Sequence, residues 1–162
     1  MSTVVQPWDA PVEIAGGLVV GHDGSPGADR ALVWALDDAA RRGRPLHVVR
    51  TWMLASAIDD VPGEPGTVPS MQECADATRA LLERDVAAAL AARPATTSVP
   101  APQVVAHVVH GPAGPSLVAA STGADLLVVG HRGRGHLEDL LLGSVAEYVL
   151  RHARTSVVVV RP

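Results

Sequence analysis

Residues 14–52 read IAGGLVVGHDGSPGADRALVWALDDAARRGRPLHVVRTW, and their pattern indicates the class of fold. It opens with a short apolar run of the kind that forms strands buried on both faces of a parallel sheet. Ser25 and Pro26 then predict a helix start, because serine caps free amides and proline at the first helical position loses no hydrogen bond. Gly43 ends the helix and Leu46–Trp52 is a second strand. The stretch therefore predicts a right-handed βαβ unit.

The same alternation of strands and helices continues to the end of the chain. A helix begins at Ser70, which has capping-box spacing to Glu73, and the same spacing at Ser144 and Glu147 predicts the cap of the last helix. The remaining predicted strands are 104–109, 126–129 and 157–160. This order predicts an α/β fold: one doubly wound, five-stranded parallel sheet of strand order 3-2-1-4-5 with helices on both faces.

Length and composition bound the class of protein. The 162 residues fit one domain and 48% of them are apolar, which excludes a disordered chain. We expect a flexible tail over residues 1–13 and the domain over residues 14–162. The net charge of −4 argues against general nucleic-acid binding, and no apolar run approaches the roughly 20 residues of a membrane span. The first residues lack the basic region of a secretory signal, so we expect a cytoplasmic protein.

The sequence lacks the residues that several kinds of catalytic or metal-binding site need. All 13 basic residues are arginine, which excludes a Walker lysine and Schiff-base catalysis. No nucleophile, base and orienting group occur at a spacing that implies catalysis, so we predict no catalytic residue. His107 and His110 lie on opposite faces of a strand, and His131 and His136 share a loop without a third ligand, which argues against zinc. The single cysteine, Cys74, is predicted to be a small buried residue.

Two candidate ligand residues follow predicted strands, at the sheet edge where ligands of open parallel sheets bind. Asp23 follows the first strand, at the point where the strand order reverses. Its carboxylate can accept hydrogen bonds from ribose or adenine, or it can form an Asx turn that caps the next helix. Thr51 ends the second strand and either lines a base pocket or only packs.

The segment after the fourth strand is rich in glycine and arginine. Gly130, Gly133 and Gly143 let backbone amides approach an anion closely, and Ser144 opens a helix whose first amides are unpaired. Arg132 and Arg134 add positive charge. These residues predict a phosphate site without lysine; the alternative is a flexible arginine-rich loop followed by an ordinary helix cap.

At these positions the chain resembles the ATP-binding branch of the universal stress protein family. The pattern Gly130-x2-Gly133-x9-Gly143-Ser144 matches in full, residues 20–25 read VGHDGS, and residues 155–162 read TSVVVVRP. The resemblance extends from about Leu18 to Pro162 and implies the adenine nucleotide alpha hydrolase-like fold. It also implies an ATP site with Mg²⁺ or Mn²⁺ at the phosphates. The implied site residues are Gly21, His22 and Asp23 at the adenosine, Thr51 at the base wall, and Val129, Gly130, Arg132, Gly133, Gly143, Ser144 and Val145 around the ribose and phosphates.

The chain departs from the family pattern at His22, Thr51 and His131. A histidine at position 22 would narrow the base pocket or make binding depend on pH, because imidazole titrates near neutrality.

We predict an ATP-binding stress-response protein that acts as a sensor or regulator, with at most slow ATP hydrolysis. Residues 53–70 are rich in proline and glycine and are a candidate lid. The four valines of the fifth strand favour pairing with a second copy, so we expect a homodimer. The alternative is a dimeric interaction module of the same fold that binds no nucleotide. A flavin or dinucleotide enzyme is disfavoured, because no G-x-G-x-x-G follows the first strand.

Overall fold

The computed structural model describes residues 2–5, 12–57, 60–61, 68–93, 98–133 and 142–162. Within these residues six strands form one parallel sheet: β1 (Ser2–Val5), β2 (Leu18–Gly21), β3 (Leu46–Trp52), β4 (Val104–His110), β5 (Leu126–Gly130) and β6 (Val157–Val160). The helices are α1 (Pro26–Arg42), α2 (Leu54–Ala57), α3 (Met71–Ala91), α4 (Ala113–Ala120) and α5 (Ser144–His152). The strand order is β1-β4-β3-β2-β5-β6. The five predicted strands are confirmed in the predicted order, and β1 is an addition at the β4 edge.

The N-terminal residues differ from the prediction of a flexible tail. Ser2–Val5 pairs in parallel with β4, from Ser2 opposite Val105 to Val5 opposite Val108. Further along, Val12 is 4% exposed and packs in the core beside Ile14. A four-residue strand is too short to show a period in the sequence, but the open edge of β4 supplies the hydrogen-bonding groups that order it.

Two cores cover the two faces of the sheet. One face packs against α1 and α3, and its fully buried side chains include Leu18, Leu36 and Leu82. The opposite face packs against α4 and α5, with Leu127 and Val149 at 0% exposure. Because residues alternate along a strand, each strand contributes to both cores. The sheet is therefore buried on both sides, which explains its near-continuous apolar strands.

The helix ends agree with the sequence patterns in two cases and differ in the third. Ser25 Oγ accepts a hydrogen bond from the Ala28 amide at 3.2 Å, and Gly43 ends α1 in the left-handed conformation at φ 61°. The capping box that begins α3 at Ser70 is present. The predicted capping box at Ser144 is wrong: Gly143 is the N-cap of α5, without a side-chain cap, because its amide donates to the His131 carbonyl at 2.7 Å.

Two further expectations from the sequence concern helices, namely membrane spans and the candidate lid. Among the described residues, none of the helices has the length and apolar character needed to cross a membrane. The candidate lid, residues 53–70, lies only partly within the described residues. Leu54–Ala57 forms the short helix α2, and residues 58–59 and 62–67 are outside the described part of the chain.

Candidate functional site

A cleft of about 520 Å³, counted to its open mouth, lies at the carboxyl ends of the central strands β2, β3 and β5. It is closed on one side by the start of α1 and on the other by α4 and α5. Ten of the eleven predicted site residues line it: Gly21, His22, Asp23, Thr51, Val129, Gly130, Arg132, Gly133, Gly143 and Val145. Ser144 is exposed at the first position of α5 and is not among the lining residues. The sheet therefore brings together segments that are far apart in the chain.

Close backbone contacts shape the end of the cleft at which the sequence predicts a phosphate site. A Cβ on Gly27 would lie 2.4 Å from the Arg132 carbonyl oxygen, and one on Gly130 would lie 2.6 Å from the Gly27 backbone. A Cβ on Gly143 would lie 3.2 Å from the Arg132 Cα. The start of α1, the exit of β5 and the start of α5 thus meet with no space for side chains between them. Because no Cβ intervenes, an anion could approach these backbone segments closely.

Positive charge collects at the same corner of the molecule. The starts of α1 and α5 both adjoin it, and unpaired amides at helix starts favour anions. Burial, and then the charges of Arg132, Arg30 and Arg161, lower the pKa of His131. His131 is bound through its amide to the Val160 carbonyl at 2.9 Å, which places Arg161 beside it. This corner is therefore suited to an anionic group in a chain of net negative charge.

Asp23 forms the Asx turn that was one of its two possible roles, and it also lines the cleft. Its Oδ1 accepts a hydrogen bond from the Ser25 amide at 2.9 Å, which is the Asx turn at the start of α1. Its Oδ2 lies against Gly133, where a Cβ would approach it to 2.5 Å. The carboxylate thus lines the cleft while it fixes the loop between β2 and α1. Its contact with a ligand remains a prediction.

The opposite end of the cleft has an apolar wall. Val49 and Leu117 are buried and Thr51 is half-buried, and all three line the cleft. A Cβ on Gly21 would lie 2.7 Å from Leu117 Cδ1, so glycine at this position lets α4 pack directly on β2. An apolar wall beside a few polar groups is the usual form of a small-molecule site.

His22 does not fill the cleft with its ring. Its side chain is fully buried, and Nε2 lies 2.9 Å from Asp29 Oδ1 on α1. Gly21 faces α4, so the following residue faces α1 and α3 by the alternation of the strand. The imidazole therefore contacts α1 and α3 rather than α4, and its buried ring gives no support to the expectation of a narrowed pocket.

Sequence reasoning missed two groups of residues. The lining residues that it did not name are Ala28, Val49, Ala113, Leu117 and Ala146. The alternation of β3 could have indicated Val49, which lies two residues before Thr51 on the same face. Arg30 and Arg161 could not have been found, since they lie outside the glycine motif. Arg30 stands on α1, and Arg161 follows β6, which pairs with β5.

The histidines and acids of the described residues do not form a metal cage: no three metal-ligating side chains come together there. His107 contacts His47, whereas His110 packs against Trp52 with ring centres 4.7 Å apart and the rings tilted by 56°, so the two lie on opposite faces as predicted. Arg134 and His136 lie outside the described residues. Among the described residues lining the cleft, Asp23 carries the carboxylate that fits a hard divalent cation.

Comparison with known proteins identifies the class of protein. Residues 17–161 match the universal stress protein family, and the chain belongs to that family. A universal stress protein of Mycobacterium bovis is 37% identical over 99% of this chain and 48% of its own length. One from Mycolicibacterium smegmatis is 36% identical over 90% of this chain and 45% of its own length. The chain thus spans about half the length of the curated relatives it matches.

A solved structure adds a ligand to this comparison. A universal stress protein in complex with cAMP is 28% identical, has a TM-score of 0.62, and is covered over 96% of its length by 91% of this chain. Nucleotide binding is thus found within the family and in a relative of the same fold.

Proposed function

We propose that this protein binds ATP in the cleft between β2, β3 and β5 and acts as a nucleotide-dependent regulator of the stress response. The observation that carries the proposal is the meeting of three glycine-lined backbone segments beside Asp23. The base would lie against Val49, Thr51 and Leu117, and the phosphates would face the exit of β5 and the first turn of α5.

A divalent cation, Mg²⁺ or Mn²⁺, would accompany the phosphates. Asp23 would hold it together with phosphate oxygens, because the described residues lining the cleft offer no further carboxylate. The cation would neutralise phosphate charge, and Arg132 would add to this effect. Hydrolysis would be slow at most, since no general base was identified in the sequence.

The first experiment is to identify the nucleotide. Protein purified without added nucleotide is denatured by heat, and the released small molecules are separated by chromatography. Calorimetry with ATP, ADP, AMP and cAMP, each with and without Mg²⁺, then ranks the ligands. We expect ATP with Mg²⁺ to bind most tightly. If cAMP bound more tightly than ATP, cAMP would be the ligand of this cleft. If none of the four nucleotides bound, the dimeric interaction module would be favoured.

Homodimer formation is the second part of the proposal. All four residues of β6 are half-buried in the single chain, at an edge of the sheet. Backbone groups at such an edge are open to pairing with a second copy. Pairing of two β6 strands would bury these valines and join two sheets into one. The same edge would serve the alternative function, a dimeric module of this fold that binds no nucleotide.

A further inference from the structure

Three side chains meet beside the phosphate end of the cleft, although they are not among the described residues that line it: Arg30 on α1, His131 after β5 and Arg161 after β6. The parallel register pairs Gly130 with Val160, and the His131 amide donates to the Val160 carbonyl at 2.9 Å. His131 and Arg161 are the next residues on the two strands, so they leave the sheet side by side.

Arg30 approaches the same place from α1. Gly27, three residues earlier in the helix, lies against the residue that follows His131, because a Cβ on Gly27 would come within 2.4 Å of the Arg132 carbonyl oxygen. Residues three apart are neighbours on one side of a helix, so Arg30 lies one turn further along on the side that meets the exit of β5. The helix α1 also contacts β6, the strand that Arg161 follows.

The His131 ring has an unsatisfied polar atom. The side chain is half-buried, and its Nδ1 is buried without a hydrogen-bond partner in the described part of the chain. Burial, and then the charges of Arg132, Arg30 and Arg161, lower the pKa of the ring, so these guanidinium groups lie near it. The neutral ring carries one N–H donor and one lone pair. A buried polar atom without a partner costs free energy, which a bound group would offset.

The positive charge of this corner is not balanced by neighbouring acids. Within the described residues Arg30 and Arg161 form no ion pair, whereas arginines elsewhere do, such as Arg42 with Asp38. The chain as a whole has a net charge of −4, so the excess of positive charge here is local. Guanidinium groups held close together repel each other unless an anion lies between them. A phosphate group carries the charge and the acceptor oxygens that such donors bind.

We propose that Arg30, His131 and Arg161 form a second anion site, next to the glycine-lined cleft, that binds a phosphate group. The two arginines supply charge and N–H donors, and His131 Nδ1 donates the hydrogen bond that it lacks in the unliganded protein. The phosphate group is either the last phosphate of a nucleotide in the cleft or a free phosphate ion, since Arg132 lines the cleft and follows His131. Only the first source rests on the proposed nucleotide function.

The first test uses inorganic phosphate and no nucleotide. The ring signals of His131 are followed by NMR at pH 7.5 while phosphate replaces chloride at constant low ionic strength. We expect a saturable shift in the native protein and about fivefold weaker phosphate binding in each of Arg30→Gln and Arg161→Gln. Arg154→Gln is the matched control, because Arg154 is also exposed but lies before β6, at the opposite end of the strand from Arg161. It should bind phosphate as the native protein does.

Calorimetry with ATP and with AMP, each with Mg²⁺, identifies the source of the phosphate group. If the last phosphate of the nucleotide occupies the site, Arg30→Gln and Arg161→Gln weaken ATP binding about fivefold, AMP binding is unchanged, and inorganic phosphate competes with ATP. If a free ion occupies the site, both variants bind both nucleotides with native affinity, and phosphate and ATP bind together.

The failures of the two proposals can be told apart. If phosphate shifted the His131 signals no more than chloride does, and the two arginine variants left ATP affinity unchanged or ATP did not bind, the second anion site would be overturned. The same holds if both arginine variants bound phosphate as tightly as Arg154→Gln. If neither nucleotide bound while phosphate still shifted the His131 signals and the arginine variants weakened that binding, the nucleotide site alone would be overturned.

Discussion

Single glycines account for much of the cleft. Gly130, Gly133 and Gly143 could be predicted from the sequence, because their spacing matches a motif. Gly27 could not, since it lies in the first turn of α1 and outside that motif. Glycine is required at position 27 by a contact between distant segments, because a Cβ there would lie 2.4 Å from the Arg132 carbonyl oxygen. Residues that matter through such contacts are visible only when the sheet has brought the segments together.

The binding role of two lining residues can be tested directly. We expect Asp23→Ala and Gly143→Ala each to weaken ATP binding at least about tenfold in calorimetry. The first removes an acceptor and the Asx turn, and the second places a methyl group 3.2 Å from the Arg132 Cα. Asp76→Ala, on α3 and paired with Arg79, is the control and should bind normally. If both cleft variants bound ATP with native affinity, Asp23 and Gly143 would not be ATP-binding residues.

A histidine pair with one buried member, His107, should make stability depend on pH. His47 Nδ1 lies 2.9 Å from His107 Nε2, and burial, then the neighbouring His47, lower the pKa of His107 to about 4. The unfolded chain binds this proton near pH 6.5, so stability is complete above that pH and falls as the pH decreases to about 4. Burial also lowers the pKa of His47, which acts in the same direction.

The measurement is urea unfolding at pH 7 and pH 4, with His107→Gln for comparison. Between these values the native protein should lose on the order of 3 kcal/mol more than the variant in its free energy of unfolding. Acidic residues titrate in both proteins and cancel in the difference. Parallel losses in the two proteins would show that the pair contributes nothing to the acid response.

At the scale of elements, the two serines predicted to cap helices have different roles. Ser25 accepts a hydrogen bond from the Ala28 amide, whereas Ser144 lies inside α5 and is exposed. We expect Ser25→Ala to lower the free energy of unfolding by about 1 kcal/mol and Ser144→Ala by less than about 0.5 kcal/mol. Thermal or urea unfolding checks both. Equal losses would mean that Ser144 caps its helix after all.

Most elements follow from local patterns, and the exceptions have a physical cause. The cap of α1, the capping box of α3 and the five central strands were all readable, because each depends on residues that are neighbours in the chain. The start of α5 was not, because the hydrogen bond from Gly143 to His131 fixes it from another segment. The strand β1 depends in the same way on an edge that only the folded sheet provides.

For the whole molecule, the β6 edge is the surface through which we propose that two copies pair. Ser156 and Val160 accept hydrogen bonds from β5, so in a parallel ladder the backbone groups of Val157 and Val159 point away from the sheet. We expect Val159→Pro to remove an outward donor and to shift the protein from dimer to monomer. Val158→Pro, which removes an inward donor, should instead destabilise the fold. Analytical ultracentrifugation and thermal unfolding separate the two effects.

The other edge of the sheet has a consequence for handling the protein. The strand Ser2–Val5 covers β4, which is seven residues long and three residues longer than its cover. Proteolytic trimming or an N-terminal tag that displaces the first five residues would lay bare this longer apolar strand, and uncovered strands of this kind are adhesive. Preparations clipped at the start should therefore precipitate on storage, even with every residue of the cleft intact.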